Sequence, residues 1–351
     1  MHRSKHGFDR TSSRWYLIFS RWLYFTVPSY VVVDLCAVLM TMDPYFIVGP
    51  EQNYPLPAHL SSLHPALLFV QRALLSFAGI LSALHLYWNT GALLLAICCP
   101  PLLGFRAHPW LMPSMTGSFT YVLDHGFAGF WGTWWHQTFR AGFAAPGKWL
   151  FRKGYLTWSG NVKNEKKLMN GRWNGNKNGN ANGNGNGSSG SESQNQNPSE
   201  VSIALGHLVA AGIAFAQSGF IHGAGSYGTP WSSKPGNPLL FFALAYLGTI
   251  TQVMLSRLLN HLAGKYKYKC PRFVRRSANF AFTSVWLTAT SWLLVDDLSR
   301  CGVWLFEPVP VSLFRAAGFG HDRRVWRWDS ESLPSWHWGP KGRWWETGLA
   351  I

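Results

Sequence analysis

Four long stretches of this chain carry no Asp, Glu, Lys or Arg: Ala73 to Phe105, Val201 to Ser233, Pro235 to Ser256 and Ser277 to Val295. Each can hold a helix of the roughly 20 residues that cross a hydrocarbon core. The wider composition agrees, with 47% apolar and 13% charged residues among 351, where a soluble domain carries about 25% charged residues. In a soluble protein the formal net charge of +16 would raise nucleic-acid binding. Here the basic residues cluster between the apolar segments, as in cytoplasmic loops, so the charge is read as topology and attraction to anionic lipid head groups. Membrane lipid is therefore an expected partner and nucleic acid is not.

Cys36, Cys98, Cys99, Cys270 and Cys301 have no metal-type spacing, and their odd number in apolar surroundings argues against a disulfide framework. The start is basic (Arg3, Lys5, Arg10, Arg14) without a small-residue cleavage site after its apolar stretch, so the first hydrophobic segment is expected to stay as an anchor. That segment, Trp15 to Met42, contains Arg21 and Asp34 and is the weakest spanning candidate.

Pro65 to Gly104 has room for two helices, interrupted near Trp88, Asn89 and Thr90 and closed by Pro100 and Pro101, with Arg72 able to snorkel. Gly117 to Leu150 is dense in aromatics and Gly with scattered His and Arg, which fits an interfacial or re-entrant helix. Between Gly154 and Ser199 the Asn/Gly repeats cannot bury a core and read as a flexible loop. Its basic flank places it on the cytoplasmic side; a glycan on the sequon Asn186, Gly187, Ser188 would reverse that orientation.

Val201 to His222 and Leu239 to Ser256 form a helical pair, Arg257 to Arg276 is again basic, Asn279 to Val295 is a further span, and Val303 to Phe314 is a short re-entrant piece. The expected fold class is all-α: a polytopic transmembrane helical bundle of about 6–8 spans with interfacial or re-entrant helices. The expected organisation is a basic tail (1–14), transmembrane and interfacial helices with the first histidine block (15–153), the Asn/Gly-rich loop (154–200), transmembrane helices with the second histidine (201–316) and a Trp-rich tail (317–351) suited to a membrane interface.

Two places combine titratable groups with apolar surroundings. In Phe130 to Arg140, helical spacing puts Trp131, Trp134, Trp135 and Thr138 on one face and His136 and Arg140 one turn apart on another. From the residues alone, the plainer reading is favoured: an interfacial amphipathic helix whose His136 and Gln137 meet only head groups. The second is His222, from which helical spacing leads back to Ser218, Phe215 and Ala211, with Gly219 beside them. Such small residues admit a neighbouring helix or leave space for a substrate beside the imidazole. A histidine at membrane depth is a functional candidate, but His85 and His207 also lie in apolar segments and not all can be catalytic. The confident spans hold no carboxylates, which argues against an ion-coupled transporter and a two-carboxylate hydrolase; no phosphate-binding loop occurs.

Phe130, Trp131, Gly132, then Trp135, His136, Gln137, then Phe139 and Arg140 resemble the FWG..WHQ.FR block of membrane-bound O-acyltransferases of the wax-synthase-like branch. They are most similar to fungal members that acetylate terpenoid and meroterpenoid alcohols. Ser218, Gly219, Phe220, Ile221 and His222 resemble the later SG..H block of that superfamily, and Gly342 to Gly348 is similar to the closing motif of fungal relatives. The resemblance runs from about Asp43 to the C-terminus, the Asn/Gly loop excepted. Thr133 and Trp134 stand where many relatives carry basic residues.

This resemblance implies an enzyme of the endoplasmic reticulum membrane that moves an acyl group, expected to be acetyl from acetyl-CoA, onto the hydroxyl of a hydrophobic acceptor. It implies His222 as the base, His136 as a second catalytic residue, and Trp135, Gln137, Ser218 and Arg140 as substrate-binding residues. Acyl-CoA enters as co-substrate, with no permanently bound cofactor and no metal. A long-chain wax ester synthase is the alternative within this class, and a transporter or non-catalytic membrane scaffold the alternative outside it.

Overall fold

The computed structural model describes residues 2–3, 9–51, 54–156, 200–229, 233–265, 270–328, 335–341 and 348–350. The Asn/Gly repeats with their sequon and most of the Gly342 to Gly348 motif lie outside the described residues. Five helices among the described residues are long and apolar enough to cross a membrane, where the sequence predicts about 6–8. The fold is an all-α polytopic membrane bundle, with short two-stranded ribbons pairing His2–Arg3 with Asp9–Arg10 and Ser335–His337 with Gly348–Ala350.

Helix α1 spans Arg14–Met40 and opens with the Ser13 hydroxyl accepting from the Tyr16 amide. It widens into a π turn over Trp22–Thr26, separated from Pro28 by Val27 alone. A proline inside a helix supplies no N–H and its ring crowds the preceding turn, and the wider turn accommodates both.

Helix α2 spans Pro65–Cys98 as one piece of 34 residues, so the expected pair of helices there is corrected to a single long one. The polar residues near its middle do not interrupt it, because their side chains find partners. Asn89 donates to the His85 carbonyl and accepts from Arg21, and Trp88 donates to the Pro113 carbonyl. At 1.5 Å per residue it is about 50 Å long, well beyond a ~30 Å hydrocarbon core.

Helix α3 spans Thr120–Gly129 and runs on into a π turn over Phe130–Trp134. Helix α4 spans Arg140–Arg152, α5 Glu200–Tyr227, α6 Gly236–Lys265 and α7 Arg272–Arg300.

The chain divides into two units, one of 1–138 with 218–351 and the other Phe139–Gln217. In the first, the second half of α1 packs on α2, and α3 packs on α6 and α7. Val33, Leu86 and Val309 form one core cluster and Leu17, Ala92, Ala96 and Met112 another. Gly248 of α6 lies against Trp286 of α7, where a Cβ would come within 2.5 Å of the indole, and the Trp286 Nε1–H donates to the Leu244 carbonyl.

After α7 the segment from Val303 is a 3-10 turn followed by the short helix Leu313–Ala316. Asp34 of α1, fully buried, accepts from the Leu313 and Phe314 amides at that helix's start. Buried Glu307 pairs with Arg315 and Arg327. In the second unit, α4 contains Pro146 and lies close to the first part of α5, with Gly147 against Ala210. Gln217 donates to the Phe143 carbonyl and His207 packs on Phe151. All five cysteines are free.

Candidate active site

The segment bearing His136 starts from a break in α3. Gly126 has φ 60° and ψ −133°, a conformation that essentially only glycine adopts. The helix splits there into two arms, Thr120 to His125 and Phe127 onward. The first arm is anchored to α7 by Asp124, which accepts from Arg276. The second ends in the π turn, and the Trp135 amide closes it by donating to the Phe130 carbonyl at 2.7 Å.

The single helix expected from Trp131 to Arg140 therefore does not form. Trp135 is extended, with ψ 151°, and the Gln137 side chain explains why the helix stops. Its Nε2 donates to the carbonyls of Trp131 and Trp135 at 3.3 and 2.6 Å, acceptors that a continuing helix would have offered to its own amides. The Gln137 amide pairs instead with the Met115 carbonyl, and the Gly117 amide with the Thr133 carbonyl. His136 thus sits in a braced turn between two helices, half-buried, with Nδ1 3.1 Å from the Thr138 hydroxyl.

His222 lies on α5, one helical turn after the half-buried Ser218. The small residues around it serve helix contact: a Cβ on Gly219 would meet Leu239 Cα at 3.2 Å, and one on Gly223 the Pro235 carbonyl at 2.8 Å. Phe242 comes forward on α6 and stacks on the His222 ring, centroids 5.2 Å apart and planes at 19°. Phe242 meets Trp131 at 5.8 Å, Trp131 meets Trp135 at 6.2 Å, and Trp135 meets His136 at 5.2 Å. Phe77 of α2 stacks on Trp135. An unbroken row of rings therefore joins the two imidazoles.

Burial, reinforced by the nearby His222, holds the His136 imidazole down at about 4. His136 is consequently neutral at physiological pH.

Of the residues singled out from sequence, His136, Trp135, Gln137, Ser218 and His222 all belong to the first unit. Arg140 opens α4 in the second and is exposed. The competing histidines have structural neighbours: His85 stacks on Phe25 and His207 packs on Phe151. Sequence reading did not single out Phe242 and Phe77, which no pattern distinguishes from other apolar residues. It also passed over Gln252 and Asn279, although an amide side chain inside an apolar span is itself a signal.

Residues 112–168 match the model of the membrane bound O-acyl transferase family. No curated protein and no solved structure matches the chain. The matched segment contains the whole His136 turn and its Met115 and Gly117 braces. For an integral membrane protein with five apolar helices among the described residues, the match supports membrane O-acyltransferase activity, with an acyl-CoA donor and a hydrophobic acceptor.

Proposed function

We propose that this protein transfers an acetyl group from acetyl-CoA to the hydroxyl of a polycyclic alcohol of terpenoid or meroterpenoid type, in fungal secondary metabolism at the endoplasmic reticulum membrane. The observation that carries the reading is the row of aromatic rings linking His136 and His222 inside one unit.

In this reading His222 is the general base. It takes the proton of the acceptor hydroxyl as that oxygen attacks the thioester carbonyl. The carbon–sulfur bond then breaks, the coenzyme thiolate receives the proton from the imidazolium, and ester and free CoA leave. No acyl-enzyme is formed.

His136 supplies a neutral hydrogen-bond donor for the developing oxyanion. The tautomer this role requires has Nδ1 accepting from the Thr138 hydroxyl, 3.1 Å away, and the ring proton on Nε2. Gln137 has both amide hydrogens engaged by backbone carbonyls, so its part is to shape the turn. Trp135 walls the acceptor, and Ser218 borders it one turn from the base. The half-buried indole of Trp135 offers a flat face to a rigid polycyclic acceptor.

The test is acyl transfer by microsomes carrying the wild type, His222→Ala or His136→Ala, with labelled acetyl-CoA and a panel of terpenoid and fatty alcohols. Ester formation on the terpenoids is expected, reduced about 100-fold or more in His222→Ala at equal protein level. Full activity in His222→Ala would overturn the assignment of the base, and preference for long-chain donors with fatty alcohols would overturn the acceptor class.

A further inference from the structure

We infer that Gln252 and Asn279 are positioning residues for the acyl transfer, holding open the break in α3 that sets where His136 lies. The inference rests on His136 belonging to the site as proposed above.

In an uninterrupted helix the Phe127 amide would donate to the Leu123 carbonyl. The Gly126 conformation separates them, and a buried backbone group left without a partner costs about 1–3 kcal/mol. Two side chains complete the circuit. The Phe127 amide donates to Gln252 Oε1, Gln252 Nε2 donates to Asn279 Oδ1 at 3.3 Å, and Asn279 Nδ2 donates to the Leu123 carbonyl at 2.9 Å. Donors and acceptors alternate at every step, so one lost helical bond is replaced by three that pass through α6 and α7.

The space is reserved for this bridge. Gln252 is 5% exposed, and a Cβ on residue 126 would fall 2.1 Å from its Nε2. A straight α3 and an inserted Gln252 are mutually exclusive. Everything downstream depends on the direction in which the second arm leaves the break: Trp131 reaches Phe241 and Phe242, Trp135 reaches Phe77, and His136 follows. The bridge therefore acts on the reaction through His136 rather than by touching substrate. A displacement of about 1 Å at such a group costs about 100-fold in rate.

The experiment compares Gln252→Ala and Asn279→Ala with the wild type at equal membrane-inserted amounts. Both are expected to lower kcat about 100-fold while KM for acyl-CoA holds. The decisive variant is Gly126→Ala/Gln252→Ala/Asn279→Ala, in which the Phe127 amide can return to Leu123. It is expected to melt close to the wild type yet stay inactive. Regained activity along with regained stability would show a purely structural role and overturn the inference, as would wild-type kcat in the single variants.

A readout independent of catalysis uses His136→Cys in a chain whose five cysteines are replaced by alanine. Its maleimide labelling rate is expected to change several-fold when Gln252→Ala is added, and an unchanged rate overturns the inference. If the wild type acylates no alcohol, the labelling result still decides the positioning role while the acyltransferase reading fails. If the single variants do not accumulate, the triple variant decides: an inactive triple variant that melts close to the wild type supports the inference, and an active one overturns it.

Discussion

Arg276 grips Asp124 through two parallel N–H···O bonds of 2.7 Å each, joining the N-terminal part of α7 to the first arm of α3. The pairing, with Arg272 and Arg275 nearby, holds the Asp124 carboxyl below the usual carboxylate range. A depressed acidic group stabilises the fold above its unfolded value of about 3.9 and ceases to do so as pH falls through the folded value. Arg276→Leu should therefore lower the melting temperature in detergent at neutral pH, and Arg276→Lys should lower it less, since the bidentate fork is lost while the charge remains. The gap between Arg276→Leu and wild type should close as the medium is acidified below about 4. A gap that stays constant with pH would assign the effect to packing.

Gly126→Ala alone brings backbone strain of about 1–3 kcal/mol and drives a methyl group into the Gln252 amide. Melting should drop by several degrees. Gly91 in α2 is the control, because a Cβ there meets nothing within 4 Å and alanine favours a helix by about 1 kcal/mol. Comparable melting of the two variants would contradict the account of the break.

The pH dependence of the reaction isolates His136. Its imidazole, held at about 4 by burial and by His222, stays uncharged throughout the range from about 5 to 8. The unfolded chain protonates this residue first, near 6.5, so its contribution to stability declines as pH falls from there towards the folded value. The expected kinetic result is that His136→Gln, which keeps an N–H donor, retains part of the rate with an unaltered kcat/KM profile in that range. His136→Ala should lose about 100-fold or more. A wild-type inflection near 6.5 that disappears in His136→Gln would contradict a neutral donor.

Arg21 is 5% exposed inside α1, donating to Asn89 Oδ1 at 2.9 Å and to the Met112 carbonyl at 3.2 Å. Arg21→Ala strands both acceptors, and a buried acceptor left unsatisfied costs about 1–3 kcal/mol. Thermal melts in detergent should show Arg21→Ala well below wild type. Asn89→Ala should be lower still than Asn89→Asp, which preserves an acceptor for the guanidinium. A neutral effect of Arg21→Ala would show that lipid or water already serves those acceptors.

The spans were legible in the sequence because exclusion of charge over a helix length is a strong, local signal: the charge-free stretch Pro235 to Ser256 lies in α6 from its second residue on, and Ser277 to Val295 falls within α7. The continuity of α2 was not, since whether Asn89 breaks a helix depends on Arg21, distant in the chain. Helical spacing placed His222 on a helix beside small residues. It misplaced His136, because the Trp131 and Trp135 carbonyls were claimed by the Gln137 side chain instead of by a continuing helix. Tertiary partners chosen across long sequence distances decided both cases.

The buried carboxylate of Asp34 also orders events in time. Its hydrogen-bond partners, the amides of Leu313 and Phe314, lie 279 and 280 residues further along, so the ribosome delivers them only after α2, α5, α6 and α7 have been made. Until then α1 sits in the bilayer with an acid whose native partners do not yet exist, held by its packing on α2 and by the Arg21–Asn89 bond. The closing segment is thus the latch that commits the first helix to its place, and a chain stopped short of Leu313 is one whose quality control should begin at its N-terminal helix.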